Sequence, residues 1–293
     1  SNTIKFSAVF MIPAALLGIP SSIFAILGPL HLFMQFWYHT QLIGKLGFLE
    51  YIIVTPSHHR VHHAINPEYI DKNYSQILII WDKLFGTFQP ELEAVKPVYG
   101  TLKPMKTWNP VIINFKHLAH LVKDAWHTKN IIDKIRIWFM PTGWRPEDVK
   151  EKFPIEIIND PSKQIKYETN NSNLLISWAW IQLVVTNILM FHFFTISINY
   201  SSTFNALYAS VLILNVFSFT SLLDHQRYAL IVESFKLITI ISIFYLQNFN
   251  WYGLQNPFTY FIGFYFILSF FFTIFFAYDF NVKSQQNGLK PIL

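Results

Sequence analysis

The sequence predicts an all-α protein, a polytopic transmembrane helical bundle, and its composition and charge pattern are the observations that predict it. Of the 293 residues, 52% are hydrophobic and only 13% are charged, which is not the composition of a soluble protein of this size. The absence of cysteine excludes disulfides and thiolate metal ligands. The net charge of +5 is modest, and no basic run is typical of a nucleic-acid interface, so nucleic acid is not an expected partner.

The apolar stretches define the expected helices. Residues 6–44 carry no formal charge and are interrupted by Gly18, Pro20 and the Gly28-Pro29 pair, which predicts a kinked hairpin of two membrane helices. Each later stretch that reaches the length of a membrane span is expected to cross the bilayer once. Four such spans are expected: residues 175–197, 204–223, 229–247 and 258–279.

The charge distribution predicts the orientation in the membrane. Residues 85–172 are polar and rich in proline, and 16 of the 22 lysines and arginines lie between Arg60 and Lys166. Cationic loops are usually cytoplasmic, so this segment is expected in the cytoplasm. Threading the spans from there places the other six on the same side: Lys5, Lys45, Arg227, Lys236, Lys283 and Lys290. The histidine-rich residues 55–63 then lie at the cytoplasmic face of the membrane.

Three regions follow from this pattern. Residues 1–90 contain the hairpin and the histidine-rich stretch, residues 91–172 form a cytoplasmic interfacial segment, and residues 173–293 form a four-helix transmembrane region. Four tryptophans of the polar segment suit a layer on the lipid headgroups, and ordinary packing explains them equally well. They are Trp108, Trp126, Trp138 and Trp144.

The stretch TPSHHRVHH, residues 55–63, concentrates four histidines within six positions. If it is helical, the helical period places His58, His62, His59 and His63 at roughly 0, 40, 100 and 140° around the axis, on one face. Imidazole suits iron, zinc, copper or nickel, whereas calcium and magnesium need oxygen ligands. The spacing therefore favours a metal site over a set of solvated surface histidines.

The preceding segment HLFMQFWYHT adds a second set of polar side chains. His31, Gln35 and His39 are four residues apart and share a helix face, and such residues in an apolar helix mark a functional position. His39 is expected to point toward the histidines of residues 55–63. His31 is expected to be structural or to line a pocket, and Gln35 to bind a ligand or fill an interhelical contact.

These segments, with NPEYIDKNY at 66–74 and WDKLFGTF at 81–88, resemble the third-histidine-box region of the fatty acid hydroxylase and sterol desaturase superfamily. The nearest branch is that of the alkylglycerol monooxygenases. The resemblance is strong over residues 25–90 and weaker through VYGTLKPMKTWNP and LLDHQRYALIVESFK. It is carried by a long composite motif rather than by HxxHH alone.

The resemblance implies a membrane-embedded, histidine-ligated diiron oxygenase that inserts one oxygen atom of O2 into a lipid C–H bond. In the alkylglycerol branch, tetrahydrobiopterin supplies electrons and the carbon beside an ether oxygen is hydroxylated, which releases an aldehyde. By position, His59, His62 and His63 match the HxxHH ligands and His39 matches the preceding ligand. His58 matches only the TPSHHRVHH form of the motif.

Further positions match the segment that follows the histidine box. Asn73 and Asp82 are interpreted as partners that orient imidazoles through their second ring nitrogen, and a surface or capping carboxylate is the alternative for Asp82. Tyr74 and Trp81 belong to the same matched segment, and Gln35 is placed with Asn73, Tyr74 and Asp82 around the metal ligands.

The chain departs from the family pattern upstream. Family members carry two further histidine boxes upstream of the one at residues 59–63, of HxxxH and HxxHH type, and this sequence contains neither of them there. The histidines that remain outside the strongly matched residues 25–90 do not form such boxes: His117, His120, His127, His192 and His225. We therefore expect the chain to be the C-terminal part of a longer protein and to be catalytically inactive alone.

Three functions remain open: a lipid monooxygenase of the alkylglycerol type, a sterol or fatty acyl hydroxylase or desaturase served by an electron-transfer protein, and a metal transporter. A transporter needs polar residues through the middle of several helices, and few are expected in the four later spans. The pairs Asp224–Arg227 and Glu233–Lys236 are expected as weak ion pairs at the cytoplasmic edge. The lipid, the electron donor and the oligomeric state are not determined by the sequence.

Overall fold

The computed structural model describes residues 7–141 and 143–286, with side chains outside 7–11 and 281–286. Within this part of the chain the regular structure is helical, as predicted. The helices are α1 Ser7–Leu16, α2 Ser21–Trp37, α3 Pro56–His62, α4 Ile80–Phe85, α5 Pro110–His127, α6 Ile131–Arg136, α7 Glu147–Lys152, α8 Asn173–Ile196, α9 Ser202–Leu223, α10 Ala229–Leu246 and α11 Asn256–Gln286.

The chain divides into two compact units. Among the described residues, 7–105, 121–141 and 143–166 form the histidine unit, and 106–120 and 167–286 form the bundle unit. Lys5 and Lys290, which contribute to the predicted orientation, lie outside the described residues, as does the side chain of Lys283. The cytoplasmic orientation therefore stays a prediction.

The bundle unit contains the four predicted membrane spans. Within the described residues, four helices are long and apolar enough to cross a bilayer: Asn173–Asn199, Ser202–Leu223, Ala229–Leu246 and Asn256–Phe280. Helix α9 packs between α8 and α10, and α10 also packs against α11. Ser172 and Ser201 begin α8 and α9 by accepting hydrogen bonds from backbone N–H groups three residues on. Four long apolar helices at the predicted positions are thus confirmed.

The interior of this bundle is more polar than expected. The expected pair of Glu233 and Lys236 forms at 2.7 Å, but both side chains are fully buried, so it is not the weak, exposed pair that was expected. Lys236 Nζ also donates to Asn215 Oδ1 at 2.8 Å and to Ser269 Oγ at 2.9 Å. Gln182 Nε2 donates to the same hydroxyl at 2.7 Å, so each of the four helices contributes to one network.

The second expected ion pair, unlike the first, does not form in the described part of the chain. Asp224 does not pair with Arg227 among the described residues; it accepts hydrogen bonds from Thr107 Oγ1, Trp108 N and Tyr167 OH. A carboxylate at the end of α9 thus binds donors from two distant chain segments. The i, i+3 spacing of Asp224 and Arg227 permits a pair on a helix, but α9 ends at Leu223 and the geometry no longer applies.

In the histidine unit the first apolar stretch forms two helices, α1 and α2, separated at Gly18 and Pro20 as predicted. The interruption expected at Gly28-Pro29 is wrong, because α2 continues through Pro29. At 17 residues, α2 is about 25 Å long, which is shorter than the roughly 30 Å hydrocarbon core. A hairpin of two full spans therefore remains a prediction.

Candidate metal centre

The HxxHH histidines lie on α3, and the local sequence explains where this short helix begins. Pro56 occupies the first turn, where its missing N–H costs nothing. Thr55 and His58 form a reciprocal capping box in which each side chain accepts a hydrogen bond from the backbone N–H of the other. The helical geometry considered for residues 55–63 is thus present over Pro56–His62.

His58 takes a different place from the other histidines of α3. It is fully buried, and its Nδ1 accepts a hydrogen bond from Thr55 N at 3.4 Å, which leaves the proton on Nε2 in the neutral ring. That nitrogen lies 4.0 Å from Glu50 Oε2. Burial lowers the pKa of His58. His58 therefore anchors the start of α3 and lies outside the cluster of converging imidazoles.

Glu50 was not singled out from the sequence, yet it organises the start of α3. Its Oε1 accepts hydrogen bonds from Ser57 Oγ at 2.8 Å, Thr55 Oγ1 at 3.3 Å and Leu46 N at 2.9 Å. A lone carboxylate beside an apolar stretch is the signal that could have indicated it, because such a group needs donors.

Three of the predicted ligands converge. His59 Nε2 lies 2.7 Å from His39 Nε2 and 3.0 Å from His63 Nε2. Within the described part of the chain, these three residues form the group whose ligand atoms all lie within 4.8 Å of one another. His39 lies 20 residues before His59 in the chain, yet its ring faces α3, as expected.

The orientation of His39 is fixed by the backbone of α2. Its Nδ1 donates to the carbonyl oxygen of Gln35 at 2.5 Å, and a carbonyl only accepts, so the proton is on Nδ1. The lone pair of Nε2 then faces His59. A ligating histidine is commonly held in this way through its second nitrogen. Gln35 therefore supports His39 through its backbone, while its amide contacts His31 Nε2 at 2.8 Å.

Arg60 connects the segment after His39 to α3, although the sequence pattern did not indicate it. Its Nη1 donates to the carbonyls of Thr40 at 3.1 Å and Ile43 at 2.8 Å. The rest of the guanidinium binds both carboxylate oxygens of Glu91, with the shortest contact at 2.6 Å. The two Nη1 hydrogen bonds hold the residues after His39 against α3, and the bidentate pair with Glu91 fixes the guanidinium that makes them.

The electrostatics of the cluster suit a cation. Burial, with the neighbouring His63, His39 and His62, lowers the pKa of His59 to about 3, and burial also lowers the pKa of His63. Both rings are therefore neutral at pH 7, the form that binds a metal. A single proton shared between two of the three Nε2 atoms makes one hydrogen bond and leaves the third nitrogen without a partner. A divalent cation can accept a lone pair from all three. The donor set fits a transition metal that prefers imidazole, and iron is one of these.

The remaining predicted residues surround the cluster without joining it. The His62 ring lies 5.1 Å from that of His63, and its Nδ1 faces the carbonyl of Lys72 at 3.4 Å. The Tyr74 ring lies 6.2 Å from His62, edge to face. Asn73 donates to the backbone carbonyl of His58 at 3.2 Å rather than to an imidazole. Asn73 therefore supports the backbone of α3 at His58.

Asp82 also binds groups other than an imidazole. Its oxygens accept from Tyr74 N at 2.8 Å, Ser75 N at 2.9 Å and Thr87 Oγ1 at 2.6 Å. Burial raises the pKa of this carboxyl, but these hydrogen bonds lower it by more, so the net pKa lies below its usual 3.8. Asp82 therefore fixes the turn that follows the histidine box.

Replacing Asp82 with asparagine is expected to lower the free energy of unfolding at pH 7 by about 1–3 kcal/mol. The folded pKa is depressed, so the contribution is present above pH 3.8 and is lost as the pH falls through the lower folded value. Thermal unfolding in detergent should show the gap between parent and variant closing only in that acid range. The exposed Asp71, replaced by asparagine, is the matched control, and an equal loss there would contradict the prediction.

Four apolar helices and three converging imidazoles together define a helical membrane protein with a candidate metal centre. A model of the fatty acid hydroxylase family matches residues 1–87, which include α1, α2, α3 and the cluster. Residues 1–87 are therefore similar in sequence to a fatty acid hydroxylase domain. No solved structure matches it.

Curated relatives extend the similarity beyond that domain. The chain is 35% identical over 238 residues to alkylglycerol monooxygenase from Homo sapiens, covering 81% of this chain and 53% of the relative. The corresponding values for the protein of the same name from Xenopus tropicalis are 32% over 253 residues, 86% and 55%. Ornithine lipid hydroxylase OlsE from Rhizobium tropici is 37% identical over 87 residues, 30% of this chain and 26% of that protein. The chain spans about half the length of the first two relatives.

Proposed function

We propose that this chain belongs to a membrane-bound iron monooxygenase that hydroxylates a lipid C–H bond, and that the substrate is an ether lipid of the alkylglycerol type. The convergence of His39, His59 and His63 is the observation that carries the proposal. The similarity to alkylglycerol monooxygenases over most of the chain supports the substrate class.

His39, His59 and His63 are the residues that would hold an iron. His62 is the remaining predicted ligand of the HxxHH box, and the complete enzyme is proposed to bind two irons. The contacts of His58 with Thr55 and Glu50 support an anchoring role instead of ligation. Iron bound here supplies the redox chemistry that activates dioxygen.

The protein groups prepare this site by keeping the ligands neutral and oriented. The Gln35 carbonyl keeps the His39 proton on Nδ1, and burial keeps His59 unprotonated. Arg60 holds the segment after His39 against α3. These contacts fix the ligand positions before metal or substrate binds, which is how a rigid supporting shell contributes to a metal site.

The proposed reaction is balanced by an external two-electron donor. An ether R–O–CH2–R′ reacts with O2, two electrons and two protons, giving R–O–CH(OH)–R′ and water. The new C–O bond replaces a C–H bond, one oxygen atom is reduced to water, and the hemiacetal then divides into an alcohol and an aldehyde. Tetrahydrobiopterin is the proposed donor, by analogy with the alkylglycerol branch.

A second lipid substrate class is supported by one relative. The similarity to an ornithine lipid hydroxylase over 87 residues favours hydroxylation of an acyl-type lipid, with an electron-transfer protein as the donor. The metal transporter is not favoured. The polar groups of the bundle unit bond to one another around Lys236 rather than lining an open path.

The test is a product assay on the full-length protein in membranes, supplied with an alkylglycerol and 18O2, with or without tetrahydrobiopterin. We expect an aldehyde formed only with the pterin, and one labelled oxygen atom in it. A hydroxylated acyl lipid formed with an electron-transfer protein supports the second substrate class. Metal moving across vesicles with no oxidised lipid would contradict both. Turnover by the 293-residue chain alone would contradict the expectation that it is inactive by itself.

A further inference from the structure

Residues 121–139 of the histidine unit expose an unusual amount of apolar surface. Trp126 is 81% exposed, Phe139 is 84% exposed and Ile131 is 74% exposed. Ile132 and Ile135 are also largely exposed. Large apolar side chains grouped in this way mark an interaction surface, because soluble surfaces carry them singly.

The three isoleucines share one face of α6. At the helical period, Ile131, Ile135 and Ile132 lie within about 100° of arc around the axis. Ile137, the residue that caps the end of α6, is buried, whereas Phe139 two residues later is exposed. The exposed residues therefore form one side of a short amphipathic helix and its continuation.

This surface is held in place by buried polar contacts. Asp124 and Arg145 form a bidentate pair with bonds of 2.6 and 2.9 Å, and both side chains are largely shielded. Lys134 Nζ donates to the carbonyl of Ala125 at 2.9 Å, which ties α6 to the end of α5. The apolar residues are exposed because this folded arrangement points them outward.

The charges around the apolar residues are mainly positive. Residues 121–139 contain four basic and two acidic side chains, and one of the acids, Asp124, is buried in the pair with Arg145. The other acid, Asp133, is paired with Arg136 at 3.2 Å. Lys123 and Lys129 are exposed beside the apolar surface. Exposed apolar groups flanked by cations complement the interface of a bilayer that contains anionic lipid.

We propose that residues 121–139 form a docking patch that lies in the headgroup layer of a membrane containing anionic lipid. Trp126, Ile131, Ile135 and Phe139 enter the acyl boundary, and Lys123 and Lys129 contact lipid phosphates. Helix α6 has six residues and is about 9 Å long, which is too short to cross the bilayer. In this arrangement it lies in the plane of the interface. The proposal does not depend on the proposed catalytic function.

The absence of cysteine in the sequence makes a clean test available. A nitroxide is attached to a single cysteine at Ile132 or Phe139, and at the exposed Glu151 as the control position. The protein is reconstituted in phosphatidylcholine vesicles with or without phosphatidylglycerol. Collision of the label with oxygen, which partitions into lipid, is compared with collision with a water-soluble nickel chelate.

We expect the labels at Ile132 and Phe139 to be accessible to oxygen and protected from nickel, and the label at Glu151 to show the reverse. Replacing Lys123 and Lys129 with glutamine should shift the equilibrium of the patch between the headgroup layer and water. We expect a shift toward water of about fivefold per lysine, only in vesicles with phosphatidylglycerol. Ile131→Ser with Ile135→Ser should shift it in both vesicle types.

Two results would overturn the proposal. In the first, the labels at Ile132 and Phe139 collide with nickel as freely as the label at Glu151. In the second, they are immobile and shielded from both reagents, which means that protein covers the patch, either a second copy or another segment. A circular dichroism spectrum equal to that of the parent confirms that each labelled variant is folded.

Discussion

Replacing His59 with alanine is expected to abolish iron binding. His59 Nε2 is the central atom of the cluster, within 3.0 Å of both other ligand nitrogens, so the variant loses the group that the other two share. Loss of an outer partner of a ligand already weakens metal binding by about 10–100-fold, and loss of the ligand itself should cost at least as much. The measurement is iron per chain by elemental analysis of the purified full-length protein.

The matched control is His127→Ala. His127 is an exposed histidine of the histidine unit, and its Nδ1 donates to a backbone carbonyl four residues earlier, as that of His39 does. Its loss should leave the iron content unchanged. Retention of iron by the His59 variant, with the fold intact, would show that the three converging imidazoles are not the metal site. The same measurement on His58→Ala separates anchoring from ligation, because an anchor weakens binding without changing the number of irons.

Replacing Lys236 with methionine is expected to destabilise the bundle unit by about 3–5 kcal/mol. The change leaves the Glu233 carboxylate fully buried without its cation, and an uncompensated buried charge is far more costly than the pair is favourable. Replacing Glu233 and Lys236 together with methionine should cost less than Lys236→Met alone, because no unpaired charge remains. The free energy of unfolding is measured by titrating sodium dodecyl sulfate into mixed micelles.

The chain offers a control of the same spacing. Glu147 and Lys150 are also an i, i+3 pair with a contact of 2.6 Å, but their side chains are 81% and 42% exposed. Lys150→Met should change the stability by no more than about 1 kcal/mol. If the two lysine variants lose equal stability, burial does not determine the energetics of these pairs, and the cost attributed to an unpaired Glu233 is wrong.

The membrane spans could be predicted because length and hydropathy alone determine them. Residues 229–247 were expected to form a span despite Glu233 and Lys236, and α10 covers Ala229–Leu246. The same sequence could not show which groups of the other helices meet Glu233 and Lys236, because apart from this pair and a few hydroxyl side chains α10 is apolar on all sides. The burial of the pair depends on hydroxyl and amide groups from three other helices, which only the packed structure brings together.

The candidate site was predictable to a similar degree. The spacing of His59 and His63 and the resemblance of the segment around His39 indicated three ligands that the structure does bring together. The helical spacing also placed His58 among the ligands, but its buried ring faces Glu50, a contact that the spacing does not predict. Glu50 and Arg60 were missed because their partners are backbone groups and residues up to 31 positions away.

Helix α3 has only seven residues, fewer than an isolated helix needs to be stable in water. Its histidines therefore owe their positions to the loops that brace both of its ends. Natural variation that changes how firmly iron is retained should accordingly map to those bracing loops as often as to the histidines themselves. Exchange of the histidine box alone between relatives would then transfer the ligands without transferring their affinity.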